Sequence, residues 1–171
     1  AHIPFTYYRQ AKTFFDSDNY YFAFINYFMM LEFCFAEGNF KKEKVKACFL
    51  SSNLLKLCVL SAISMLKKED AKDGNIKWLS EECKAKQKEV DFEGVIYLLI
   101  EYRGILSHAS ERSKKYLFDH YKLRPLAFIT SLICFLLCGY IQIYSCLDNE
   151  SKQRVITNRV NELEKEFTAQ K

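Results

Sequence analysis

From Leu126 to Leu147 the chain carries no charged residue, and no other stretch constrains the fold as much. Its length admits two structures. About twenty apolar residues in a helix cross a bilayer, and Lys122 and Arg124 before the run, with Asp148 and Glu150 after it, suit a positive-inside orientation. The same pattern describes a helix at the centre of a bundle or shared with a second subunit. Thr130, Ser131, Gly139, Gln142 and Ser145 interrupt the run, which favours the core or dimer helix. Five Gly and two Pro among 171 residues are too few for a turn-dense β fold and suit long helices. With half the residues hydrophobic, the chain can bury a substantial core in one domain. The fold expected is all-α, a helical bundle of about five to seven helices.

Apolar periodicity places the elements. Phe5 to Phe15 reads as a short helix, stopped by Asp16-Ser-Asp-Asn19, which also caps the next. Asn19 to Glu37 reads as a strong helix, apolar almost all round and therefore central, ended by Gly38-Asn39. Glu32 is out of place there, and a carboxylate in such a helix is either paired or at the rim of a cleft. Lys41 to Leu66 is helical with a kink or break at Ser51-Ser-Asn53, and Ile76 to Lys88 is a short, lysine-rich, solvated helix. Phe92 to Leu106 carries the stripe Val95, Leu98/Leu99, Tyr102 and Ile105/Leu106, with Arg103 beside it. The C-terminal segment, residues 151–171, holds an amphipathic helix with Ile156, Val160, Leu163 and Phe167 on its inner edge and Ser151 as its cap.

Seven cysteines, odd in number and mostly set in apolar runs, read as buried reduced thiols, so a cytoplasmic protein is expected. No signal-peptide pattern follows Ala1, and the absent initiating Met suggests a domain of a longer protein. Net charge of +4 permits nucleic-acid binding without demanding it. There is no phosphate-binding Gly loop, no H-E-x-x-H, no nucleophile elbow and no paired-Cys zinc pattern. An enzyme built on this chain is expected to need no metal or cofactor.

The chemistry-bearing stretch is Tyr97-Leu-Leu-Ile-Glu-Tyr-Arg-Gly-Ile-Leu-Ser-His108. Arg is a permanent cation that holds phosphate through several N–H donors. His moves protons near neutral pH. Phosphodiester cleavage uses both. Five residues along a helix rotate by about 140° and rise about 7.5 Å, so Arg103 and His108 do not share a face. They converge only if the helix ends between Gly104 and Ser107, or if a second subunit supplies the partner group. Arg112, Lys114 and Lys115 follow in a polar loop and are candidates to track a phosphate backbone.

That stretch resembles the signature of HEPN domains, helical bundles whose motif is R-x(4–6)-H at the end of a late helix. Asn19 to Gly38, with its Asn26-Tyr-Phe-Met-Met-Leu-Glu32 core and glycine stop, resembles the early helix of the HEPN subgroup in prokaryotic defence proteins. The resemblance runs from about residue 5 to residue 147. It implies a homodimer whose cleft collects two copies of Arg103 and His108 and cleaves single-stranded RNA without metal. His108 would be the general acid/base and Arg103 the phosphate or transition-state ligand. The ribose 2′-OH would be the nucleophile and a 2′,3′-cyclic phosphate the product. Glu32 would orient Arg103, with Gly104 and Ser107 supporting the site. Many active members carry Asn or another polar residue where Gly104 stands, and its absence either lowers activity or lets the backbone approach RNA.

The leading expectation is a metal-independent endoribonuclease of phage defence or a toxin system, with an antitoxin or parent-protein domain as further partner and no membrane. The alternative is a non-catalytic HEPN dimerisation or interaction module that regulates a partner domain. A third reading is a membrane-anchored helical protein spanning at Leu126 to Leu147.

Overall fold

The computed structural model describes residues 3–69, 74–107 and 119–169. Among them are eight helices and no strand: α1 (Ile3–Asp16), α2 (Tyr20–Phe35), α3 (Lys42–Ser51), α4 (Asn53–Glu69), α5 (Asn75–Ala85), α6 (Phe92–Ser107), α7 (Arg124–Tyr144) and α8 (Asn149–Ala169). A 3-10 turn, His120–Leu123, leads into α7. The all-α bundle is as expected, and the count is one above the upper figure. The extra helix comes from Ser52, where the chain bends by 81° between α3 and α4. Ser52 is extended at ψ 109°, and its hydroxyl accepts from the Leu55 amide at 3.2 Å, so it ends one helix and starts the next.

The helix ends follow local chemistry. Asn19 caps α2 by accepting from the Phe22 amide at 3.4 Å. Asp91 caps α6 by accepting from the Gly94 amide at 2.8 Å. Ser151 does not cap α8, in contrast to the sequence reading. Asp148 does: its carboxylate accepts from the Ser151 amide at 2.9 Å and from the Ser151 hydroxyl at 2.7 Å. Asp outcompetes Ser there because its two charged oxygens take both donors and face the positive end of the helix.

The core lies between α2, α7 and α4, with α1 laid along α2 and α8 along α4. From α2 it takes Phe24, Tyr27, Phe28, Met30 and Leu31, each contributing about 1.5–3 kcal/mol by leaving water. α2 is not buried all round. Phe22, Met29 and Phe33 are 46%, 40% and 53% exposed, a stripe at helical spacing that α1 borders without covering.

The uncharged run is α7. By length and composition the helical stretch His120–Tyr144 can cross a membrane; in the bundle one face of α7 is buried, while Phe135 and Ile143 are exposed. It buries Leu126, Ile129, Ile133, Cys134 and Leu137 against its neighbours. The buried Thr130 hydroxyl donates to the Leu126 carbonyl at 2.7 Å, which satisfies it within the helix. α5 is less solvated than expected, because Leu79 and Cys83 are buried.

Candidate functional site

Arg103 lies in the last third of α6, at the border of the buried stripe. Tyr102 and Leu106 on either side of it face the core, which leaves the guanidinium half-buried rather than free. It meets Glu32 of α2: Arg103 Nη2 and Glu32 Oε1 are 3.0 Å apart, with side chains 28% and 22% exposed. The apparently misplaced carboxylate thus has an opposite charge beside it. Oε1 is buried at this contact. Burial pushes the Glu32 carboxyl above its ordinary range, and the adjoining guanidinium pulls it part of the way back.

Two further contacts hold the end of α6. The Tyr21 hydroxyl on α2 donates to the Leu106 carbonyl at 2.8 Å, occupying one of the acceptors that a helix leaves open at its C-terminus. Lys42, the first residue of α3, is paired with Glu101. Neither residue stood out in the sequence: a pair separated by 59 positions has no local signature. Both described cations here, Lys42 and Arg103, therefore have carboxylate partners.

A cavity of about 250 Å³ opens at this corner, between α2, α3 and α6. Phe28, Val45 and Ile100 form its apolar wall, and Glu32, Lys42 and Arg103 bring charge to it. Phe40 completes it from the α2–α3 loop, with 80% of its surface exposed. That loop is shaped by Glu37 and Gly38 at φ 51° and 75°. The Asn39 side-chain amide donates to the Ala36 carbonyl at 2.9 Å, pinning the turn just before Phe40.

Of the residues singled out from sequence, Arg103 and Glu32 meet, Gly104 lines the same cavity, and Ser107 is the exposed last residue of α6. His108, Arg112, Lys114 and Lys115 lie outside the described residues. His120 is distant in sequence and stacks on Tyr121, ring centroids 4.6 Å apart. Among the described residues no group of three or more His, Cys, Asp or Glu side chains is placed to hold a metal ion. A larger groove, about 550 Å³, runs between α4, the start of α6 and α8. Its cations are engaged, Lys56 with Glu164 at 2.5 Å and Lys67 over the Phe167 ring at 4.4 Å, and no candidate residue lines it. Glu32, Arg103 and Gly104 instead meet at the smaller cavity. Compared with protein-family models, with curated proteins and with solved structures, the chain matches none.

Proposed function

We propose that this chain is a HEPN-type endoribonuclease domain that acts on single-stranded RNA as a homodimer, without metal, in a phage-defence or toxin system. The observation that carries the reading is the Arg103–Glu32 pair at the end of α6, five residues before His108. A guanidinium held by one carboxylate keeps a defined direction and retains further N–H donors for a phosphoryl oxygen. Tyr21 adds to this by anchoring the helix end from which the chain proceeds to His108. In the proposed reaction His108 removes the proton from a ribose 2′-OH, which attacks the adjacent phosphorus. Arg103 stabilises the charge that develops on the phosphoryl oxygens. The P–O5′ bond breaks, the 5′-oxygen takes up a proton, and a cyclic phosphate remains. Arg112, Lys114 and Lys115 would hold the flanking backbone.

A second reading has its own observation. Arg103 is tied up in an internal pair, and Phe22, Met29 and Phe33 expose an apolar stripe on the neighbouring helix. A non-catalytic module that dimerises or receives a partner domain would use both features as they stand.

The test is incubation of the purified chain with a labelled single-stranded RNA in EDTA, beside His108→Ala and Arg103→Ala. Cleavage by the parent alone, ending in cyclic phosphate, is the expected result. Each substitution should lower the rate by about two orders of magnitude or more. Full activity in both variants would sink the ribonuclease reading, and an inactive parent that sizes as a dimer would favour the module.

A further inference from the structure

The cavity beside Arg103 has a composition that the cleavage step does not call for. Phosphate chemistry needs cations and proton shuttles, yet this hollow has an apolar wall, a buried carboxylate oxygen and an exposed aromatic ring. We infer that it is a slot for one unstacked nucleobase, and that the base is guanine. The inference rests on the RNA reading above and adds the identity of the base next to the site.

Shape comes first. A cavity of about 250 Å³ accommodates a single planar base and leaves no room for a paired one. Phe40 is the stacking surface. Its ring is 80% exposed, and the loop behind it is held by Asn39 and by two residues of positive φ, so the ring is presented at little cost in loop ordering. Stacking on such a ring is tolerant of base identity.

Selection comes from the edge of the base. Glu32 brings a carboxylate that the Arg103 guanidinium faces from one side, and Lys42, paired with Glu101, brings an ammonium with further N–H donors to the same cavity. Guanine presents two adjacent N–H donors, at N1 and N2, beside the O6 acceptor. A carboxylate accepts from both donors while a neighbouring ammonium donates to O6. Cytosine offers the carboxylate only its N4 amino group, adenine only N6, and uracil only N3–H. The carboxylate that positions Arg103 therefore also reads the base, which couples base recognition to the phosphate-holding group.

Mononucleotides test this directly, because they contain no bond for the chain to cleave. Calorimetric titration of the full chain with GMP, AMP, CMP and UMP should show GMP binding about ten-fold or more tightly than the others. Phe40→Ala should weaken GMP by about ten-fold, and Glu32→Gln, nearly isosteric, should abolish the preference for GMP. Thermal melting of both variants checks that the fold is retained. Equal affinity for the four nucleotides, no binding of any, or a preference that survives both substitutions would overturn the inference. RNA cleavage without GMP preference would leave the ribonuclease reading standing and the slot refuted. GMP preference without cleavage would do the reverse.

Discussion

Replacing Arg103 by Met removes the guanidinium but keeps an apolar stem of similar reach, so the loss reports on charge rather than on a hole. The Glu32 carboxylate would then share the cavity with Phe28, Val45 and Ile100 without the guanidinium that faces it. At the observed 3.0 Å, unit charges attract by about 1.4 kcal/mol in bulk water and about 5.5 kcal/mol at an effective dielectric of about 20. With 28% and 22% of the two side chains exposed, the pair lies between those limits. Desolvation and side-chain ordering subtract from the gross attraction. The expected coupling between Arg103 and Glu32 is therefore about 1–2 kcal/mol, and Arg103→Met alone should cost about 2 kcal/mol, chiefly by stranding the carboxylate. The double variant, Arg103→Met with Glu32→Met, should return close to the parent, since removing both charges also removes both desolvation costs. Urea denaturation of the four proteins measures this cycle. The coupling should fall only in part at about 1 M salt, because buried pairs are screened less than exposed ones. The pH dependence has a definite sign. The folded state binds the Glu32 proton more tightly than the unfolded chain does, since burial raises its carboxyl above the ordinary 4.5. Its effect on stability is thus most favourable below that value and is lost as pH rises through the raised one. Without Arg103 the carboxyl rises further, so the defect of Arg103→Met should be largest near neutrality and shrink on acidification. A coupling below about 0.3 kcal/mol, or a defect that grows in acid, would refute the account.

Other outcomes follow from single positions. Gly94→Ala should destabilise the fold by about 1–3 kcal/mol in the same denaturation assay, because an added Cβ meets the Glu89 carbonyl oxygen at 2.0 Å and backbone cannot easily give way. Gly104→Ala should instead stabilise by about 0.5–1 kcal/mol, since nothing lies within 4 Å of its Cβ position and glycine is costly within a helix. The same room means that Gly104→Asn should fold, and in the cleavage assay it should be at least as active as the parent. Under native alkylation Cys146, which is exposed, should react first. Burial pushes the Cys34 and Cys138 thiols up to about 11 and the fully enclosed Cys134 further, so these should react only as the chain unfolds; mass spectrometry reads the order.

Much of the helical framework was legible in the residue order because its causes are local. Apolar spacing of three and four residues marks α2, α6 and α8 whatever else they touch, and Asn19 caps α2 through a contact three residues away. The break at Ser52 was legible as punctuation, though not its 81° turn, which depends on how α3 and α4 pack. The cap of α8 was misread by three residues, since Asp148 and Ser151 are both good caps and only the folded turn shows which one accepts.

What the sequence by itself determined is the all-α class, the centrality of α2, the uncharged run of α7, and the anomaly of one carboxylate, Glu32, in an apolar helix. The resemblance named Arg103 as the partner of that carboxylate, and the tertiary structure brings the two together. Glu32 and Arg103 are 71 positions apart, and their meeting depends on α6 packing against α2 so that the border of one stripe faces the border of the other. Packing of α3 on α6 brought Lys42 to Glu101, and the α2–α3 loop placed Phe40 on the cavity. Periodicity names the face a residue occupies. Which other face it meets is settled by the packing of whole helices, an energy shared among too many side chains to be written in any one segment.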